Sequence, residues 1–573
     1  MQLLKSYGAF VLIILFSVVA VAPLFHLGFF PMHDDTQIAR VFVMSEALKD
    51  GQFPVRVVDY LGYNLGYPIF NFYAPFAYYL GAVTSFLGFS IITATKVMIG
   101  LGVILAGIFM YFLAREFWGK VGGVVAALFY IYAPYHSVNS YVRGAISELW
   151  AYAFIPLAAF GFYKLYEALA GKKKAPHIWK YLTVSALGFA GIILSHNLTA
   201  LMVTPFLVAL LIVLSVLLGR KGLLKKVPYL LLAFVLGLSL SAFYFLPALL
   251  EMKYTDIGSV LGGGSDFRNH FVCPIQFWYS PWGFGGSEPG CLDGISLQLG
   301  KPHILLTLLA FLVLPVLFKI KKNLAISSIL AFVFLLMTIF LMLPISQFIW
   351  EALSPMEYFQ FPWRFLVLAA FFMSFLAGSV IYAILEVGKS HLKRDILAPI
   401  LLLGSVILIL FFYAKLFVPQ HYLNDPNDQV DLDTISFKVS QISDEYLPRD
   451  IILPKSENEV MTNKVEVLEG EAKVKILSEK SQRLAFRVDT SSGATLVIHK
   501  ASFPFWQVFL NYKKVETKTV NGEIVISVPK GNTLGEVLFV STPVEKIGNG
   551  ITLISVLLLS TGIIAARKKR TRE

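Results

Sequence analysis

The sequence predicts a polytopic α-helical membrane protein of about 12 transmembrane helices with a small β-sandwich domain near the C-terminus. Three observations predict it. The 573 residues are 57% hydrophobic and only 15% charged, with a mean hydropathy of +0.69, more apolar surface than a soluble fold of this length requires. Apolar stretches of about twenty residues recur, each long enough to cross a hydrocarbon core of roughly 30 Å. Residues 418–546 instead alternate apolar and polar positions in short runs bounded by turn residues.

Charge sets the orientation. Residues 418–546 hold 15 Lys/Arg against 18 Asp/Glu, and the rest of the chain holds 33 against 18. That excess sits in short collars between apolar runs, the pattern of cytoplasmic loops rather than of a nucleic-acid surface. The expected location is the cell (plasma) membrane, with both termini cytoplasmic and the functional site extracytoplasmic.

Residues 7–30 form the first crossing, with Lys5 inside. Ala20-Val21-Ala22 resembles a cleavage site, but the run stays apolar to Phe30 and Pro23 follows directly, so an uncleaved anchor is expected. His33, Asp34 and Asp35 come next, on the outer side. Thr36 to Asp50, ended by Gly51, reads as an interfacial helix with Ile38, Val41, Phe42 and Leu48 on one face and Arg40, Glu46 and Lys49 elsewhere; Asp34 or Asp35 can cap it. Residues 72–90 are apolar enough to cross. If they did, Arg115/Lys120, Lys172–Lys174, Arg220/Lys221/Lys225/Lys226 and Lys319/Lys321/Lys322 would all lie outside. They are therefore read as dipping or interfacial.

The remaining crossings fall at 92–113, 121–134, 149–169, 181–198, 199–218, 228–250, 303–318, 324–343, 363–385, 396–417 and 547–566, and Arg567-Lys568-Lys569-Arg570 returns inside. The expected organisation is a transmembrane domain over 1–417, with outer loops 31–91, 135–148, 251–302 and 344–362. A β-rich domain follows over 418–546, then a final helix and basic tail over 547–573. The strands are expected at 464–468, 472–477, 484–488, 495–499, 515–520 and 523–528, with Asn521-Gly522 as a hairpin turn. Cys273 and Cys291, both in the third outer loop, are expected to pair in an oxidising compartment.

The outer segments carry the candidate chemistry. Asp34 and Asp35 can take a proton from an attacking hydroxyl or bind a cation that grips phosphate; a helix cap would use only one of them. In Tyr135 to Glu148, Arg143 can fork onto a phosphate, Glu148 can orient it or hold a metal, and Tyr141 shares a face with Glu148 if the segment is helical. An Arg143–Glu148 structural pair is the alternative. His196, in Ser195-His196-Asn197, can steady a leaving phosphate or merely cap a helix. Trp278 and Trp282 offer faces for sugar stacking or an interfacial belt, and Gly262-Gly263-Gly264 offers mobility. Gln360 and Arg364, in Gln360-Phe361-Pro362-Trp363-Arg364, introduce a crossing. Arg364 there opposes the helix dipole, which favours a ligand role over mere stability, lipid snorkelling being the alternative.

The acid pair, the following helix and Gly66-Tyr67-Pro68-Ile69-Phe70-Asn71-Phe72-Tyr73-Ala74-Pro75 resemble the first outer loop of GT-C-fold glycosyltransferases. Taken with Tyr141–Glu148, Ser195-His196-Asn197, Gln360–Arg364 and Phe503-Pro504-Phe505-Trp506, the chain resembles the membrane family called 6-pyruvoyl-tetrahydropterin synthase-related, which is similar to YfhO-like proteins. The pterin name does not transfer: those synthases are soluble and use a histidine-built zinc site, and the ten histidines here show no clustered ligand spacing. The GT-C resemblance implies an integral membrane glycosyltransferase. Its donor would be a sugar on a polyprenyl phosphate and its acceptor an outer-face glycan, lipid or protein. Asp34, with Asp35 as alternative, would be the base, with Arg143 at the phosphate and His33, Tyr141, Glu148, His196, Gln360, Arg364, Trp278 and Trp282 around the substrate. Some GT-C enzymes need Mg²⁺ or Mn²⁺; Asp34, Asp35 and Glu148 are the residues that could hold one, and the second acidic triplet of bacterial oligosaccharyltransferases is missing. A transporter or flippase, or an assembly protein, for lipid-linked sugars or surface polysaccharide is the rival, although such proteins place ionisable groups near the midplane.

Overall fold

A computed structural model describes residues 2–171, 175–387, 391–423 and 431–572. Lys172–Lys174 lie outside the described residues, as do the side chains of Arg567, Lys568, Lys569 and Arg570.

The described chain has nine helices long and apolar enough to cross a membrane, or up to 11 if each of two bent pairs is one span. The bent pairs are Leu224–Leu240 with Ala242–Leu250, at 73°, and Lys301–Leu312 with Leu314–Ile320, at 52°. One of the nine, Ile91–Ile131, holds 41 residues and breaks at Gly119, whose φ of 68° and ψ of −173° leave the helical region. Forty-one residues would extend about 60 Å as one helix, twice the bilayer core, so the break divides it into two crossings. With that division the described helices reach the 12 crossings read from hydropathy.

Phe76–Phe86 has only 11 residues, about 16 Å, too short to span. It packs against Gln37–Lys49 and the Ile91–Ile131 helix, and residues 72–90 do not cross.

Two expectations fail here. Gln37–Lys49 does not lie with one face in lipid: Gln37, Arg40 and Ser45 are buried together with Ile38, Val41, Val43 and Met44. The helix is sandwiched between Phe76–Phe86 and the C-terminal domain, where Arg40 lies 4.1 Å above the Tyr73 ring and donates to Ser443 at 2.9 Å. Nor does Asp34 or Asp35 cap it. The cap position is Thr36, with no side-chain cap bond, so both carboxylates are released from that duty.

The C-terminal domain is one antiparallel hydrogen-bonded sheet of seven strands: β1 (Val465–Lys480), β2 (Arg483–Ala501), β3 (Trp506–Leu510), β4 (Lys513–Val515), β5 (Lys518–Val520), β6 (Glu523–Val528) and β7 (Gly531–Phe539). The first half of β2 pairs with β7 and the second half with β6, while β1 runs along both. Gly470 (φ 86°) and Gly493 (φ 95°) lie where the long hairpin passes from one half to the other. The expected runs 464–468 and 472–477 thus join as β1, and 484–488 and 495–499 join as β2. Asn521 and Gly522, both at positive φ (51° and 77°), turn β5 into β6 as their sequence requires.

This domain is clamped onto the first long loop. Lys500 Nζ reaches Asp59 at 2.5 Å, Lys464 Nζ donates to the Asn64 carbonyl at 3.0 Å, and Tyr63 donates to Asp444 at 2.8 Å. The segments read as outer loops therefore meet at one end of the bundle: His33 with Val142 and Phe284, Val272 with Met342, Gln360 with Val260.

Candidate functional site

Residues 134–148 lie between two crossings and are buried throughout. Pro134–Val138 is a short helix, Asn139–Arg143 a widened turn, and Gly144 a left-handed stop at φ 67° before Ile146–Ala170 begins. This much polar chain can be buried because its groups satisfy one another. Tyr135, Asn139 and Arg143, four residues apart, turn onto Glu148. Tyr135 donates its hydroxyl to Glu148 Oε1 at 2.8 Å, Asn139 Nδ2 donates to the same oxygen at 2.9 Å, and Arg143 Nη1 lies 3.0 Å from Oε2. Arg143 Nη1 also approaches the Tyr135 hydroxyl and Asn139 Oδ1, at 2.9 and 2.7 Å. The Trp363 ring lies under the guanidinium at 4.8 Å. One edge of Arg143 is thereby fixed; Nε and Nη2 make no hydrogen bond among the described residues.

The acid pair is docked beside this box by backbone. His33 N–H donates to the Val142 carbonyl at 3.0 Å and Asp34 N–H to the Arg143 carbonyl at 2.8 Å. Gln37 adds a bond to the Gly144 carbonyl at 2.9 Å. Gly144 is needed for this approach: a Cβ there would lie 2.7 Å from that of Met32. The charge of Asp34 acts on both Arg143 and Arg364. Asp35 makes no side-chain hydrogen bond among the described residues, and burial pushes its carboxyl up to about 6.

Arg364 differs from Arg143 in kind. Its Nε and Nη1 are buried without a hydrogen-bond partner among the described residues, its flat face lies 5.2 Å from the Phe361 ring, and the charges around it are Arg143, Glu148 and Asp34. A buried N–H without a partner costs about 1–3 kcal/mol, more when charged, so this guanidinium is poised for an anion.

His196 is the N-cap of Asn197–Leu240. Its Nδ1 accepts the Thr199 N–H at 3.2 Å. It is thus a helix cap within electrostatic reach of Glu148, Arg364 and Arg143.

Other candidates lie elsewhere. Tyr141 donates to the Ala20 carbonyl at 2.6 Å; the turn and Gly144 break the single helix that would have aligned it with Glu148. Gln360, at φ 60°, donates to the Val260 carbonyl at 2.9 Å, tying down the glycine-rich loop. Trp278 is half-exposed with Lys301 Nζ 5.5 Å from its ring. Trp282 packs on Phe284, whose carbonyl meets His33 Nε2 at 3.0 Å, so it touches the acid loop only indirectly. Cys273 and Cys291 are bonded and staple this loop. Sequence reasoning passed over Tyr135, Asn139 and Trp363. The repeated spacing of four ending at Arg143 was the available signal for the first two; Trp363 had none beyond adjacency to Arg364.

Of the three carboxylates a divalent cation could use, Glu148 has both oxygens engaged. Asp34 and Asp35 remain, and among the described residues no group of three or more His, Cys, Asp or Glu side chains is placed to hold a metal.

Residues 70–262 match the family described as 6-pyruvoyl-tetrahydropterin synthase related domain, membrane protein. The matched stretch covers the Tyr135–Glu148 box and His196 but not Asp34 or Arg364. An uncharacterised protein of Lactococcus lactis subsp. cremoris is 26% identical over 354 residues, 60% of this chain and 55% of that protein, so the chain spans about half of its relative's length. Among solved structures, the Archaeoglobus fulgidus oligosaccharyltransferase AglB with an inhibitory peptide and a dolichol-phosphate is 15% identical, with a TM-score of 0.47 over 81% of this chain and 62% of that one. ArnT of Cupriavidus metallidurans is 13% identical, with a TM-score of 0.37 over 78% of each chain. Likeness at these levels is too remote to carry function, which rests on the site itself.

Proposed function

We propose that the protein is a membrane glycosyltransferase of GT-C type, taking a sugar from a polyprenyl-phosphate donor to an acceptor hydroxyl at the extracytoplasmic face. The observation that carries this reading is the pair of buried Arg364 nitrogens, Nε and Nη1, without a partner among the described residues, beside an anchored Arg143 and within electrostatic reach of Asp34.

The donor phosphate sits between the free edge of Arg143 and the Nε/Nη1 edge of Arg364. The acceptor oxygen attacks the anomeric carbon, the bond from that carbon to the phosphate oxygen breaks, and its electron pair stays on the phosphate. The two guanidiniums stabilise the charge that grows there. The acceptor proton passes to the acid pair. Asp34 is the base by position, since its charge already acts on both arginines; Asp35 is the alternative by proton affinity, being tuned closer to neutral pH. Glu148, Tyr135, Asn139 and Trp363 do not touch substrate; they fix the position of Arg143. A role for Trp282 in covering the sugar is part of the same proposal.

A transporter of lipid-linked sugars is the second reading, favoured by the two bent helix pairs, since broken helices recur in transporters. Against it, Arg143, Arg364 and the acids lie at helix ends.

The test is to incubate the purified full-length protein, wild type and with Asp34→Asn or Asp35→Asn, with a panel of labelled polyprenyl-phosphate sugars and acceptors. Transfer lost in one variant identifies the base. Movement of labelled lipid across vesicles without transfer supports the transporter, and transfer unchanged in both variants removes the base assignment.

A further inference from the structure

We propose that a second site, a cavity of about 400 Å³ where the last helix meets the bend of residues 224–250, binds the phosphate headgroup of an anionic membrane lipid. It is independent of the transfer reading. Lys253, Tyr254 and Glu251 line it from the end of Ala242–Leu250, Gln507 from β3, and Ser541 and Lys546 from the start of Pro543–Arg572.

Three features select the ligand. The first is charge. The exposed Lys253 and Lys546 stand at the cavity wall, while of the acids behind them Glu251 has both oxygens engaged and Glu545 its Oε2, its buried Oε1 having no partner among the described residues. Glu251 accepts from Asn71 at 3.0 Å and from Thr542 at 2.5 Å. Glu545 accepts from the Thr542 N–H at 3.0 Å and faces Arg56 at 3.8 Å. Lys253 and Lys546 thus outnumber Glu251, the one acid of the lining, so the cavity favours an anion. The second is the apolar flank. Leu249, Leu250 and Ile547 are 66%, 50% and 59% exposed directly beside it, on two segments that run into the membrane; acyl chains would cover them, and a free anion would not. The third is depth. Both walls belong to the ends of spanning helices, which places the cavity at headgroup level.

Behind the cavity, Glu251, Tyr254, Pro504 and Thr542 are shared with a smaller closed pocket that Asn71 and Phe72 border.

The experiment uses the full chain in detergent, wild type and Lys253→Ala/Lys546→Ala. Its thermal midpoint is read after addition of phosphatidylglycerol, phosphatidylcholine or inorganic phosphate, and copurifying phospholipid is counted by mass spectrometry. Both lysines are exposed, so the double variant is expected to fold. The proposal expects phosphatidylglycerol alone to raise the midpoint, and the double variant to need about thirty-fold more of it for the same rise. Phosphatidylglycerol copurifying with the wild type should be depleted in the variant. An equal rise with phosphatidylcholine, a rise with inorganic phosphate alone, no rise at all, or an undiminished response in the double variant would each overturn it.

Discussion

Arg143 and Arg364 carry the same charge but are held differently, and substitutions should separate them. Arg143→Ala strands the buried Glu148, and losing one partner of a buried pair costs about 3–5 kcal/mol; thermal unfolding should show a strongly destabilised protein. Arg364→Ala removes a group whose buried Nε and Nη1 have no hydrogen bond to lose among the described residues, so stability should hold while transfer falls by about 10²–10³. Asp35 gives a pH signature. Burial raises its native pKa to about 6, above an unfolded value of about 4, so the native state holds this proton more tightly. Its ionisation therefore costs stability progressively as the pH rises from about 4 to about 6, and the cost persists above that window. Asp35→Asn should leave stability unchanged near pH 4 and raise it by about 1–2 kcal/mol at pH 7.5, after allowance for partial exposure; denaturant titrations at the two pH values measure this. The charged residues themselves were legible in the sequence because ionisable groups beside apolar runs are costly without a task. Their partners were not. Nothing in sequence order says that Arg143 bonds Glu148 alongside Tyr135 and Asn139 while Nε and Nη1 of Arg364 have no partner among the described residues, since that depends on where the Gly144 turn points the next helix.

At the scale of elements, Gly144 decides the geometry. It holds φ 67°, and an added Cβ would meet Met32 at 2.7 Å. Gly144→Ala should cost about 1–2 kcal/mol from the left-handed backbone alone, more from the clash, and should disrupt the pairing of residues 33–34 with 142–143. Faster hydrogen exchange at the His33 and Asp34 amides would report that. Spanning helices were readable because a run of about twenty apolar residues has few other fates, and charge parity settled that 72–90 stays out of the count. Gln37–Lys49 was misread for a related reason. Its alternation of apolar and charged faces suits a membrane surface, but the Arg40 face is covered by Tyr73, Tyr78 and Ser443, the last more than 400 positions away. The buried turn of 134–148 was read as a loop because its polarity is internal, each group satisfying another.

Over the whole molecule, the β domain locks the first loop. Lys500 is 1% exposed against Asp59, and Lys500→Ala should destabilise by about 3 kcal/mol or more and open the loop to proteolysis between residues 50 and 67. The domain's strand content was visible in the alternation of residues 464–528, but its docking rests on ion pairs between residues hundreds of positions apart, which no local pattern encodes. The same long-range closure brings loops from four parts of the chain onto one end of the bundle, where the two guanidiniums lie within electrostatic reach of Asp34. The most direct measurement is binding of a short polyprenyl phosphate, farnesyl phosphate, to the purified full chain by phosphorus NMR or calorimetry. Saturable binding by the wild type, weakened about a hundred-fold in Arg364→Ala at an unchanged melting temperature, is the predicted result; equal affinity in the two proteins would contradict it.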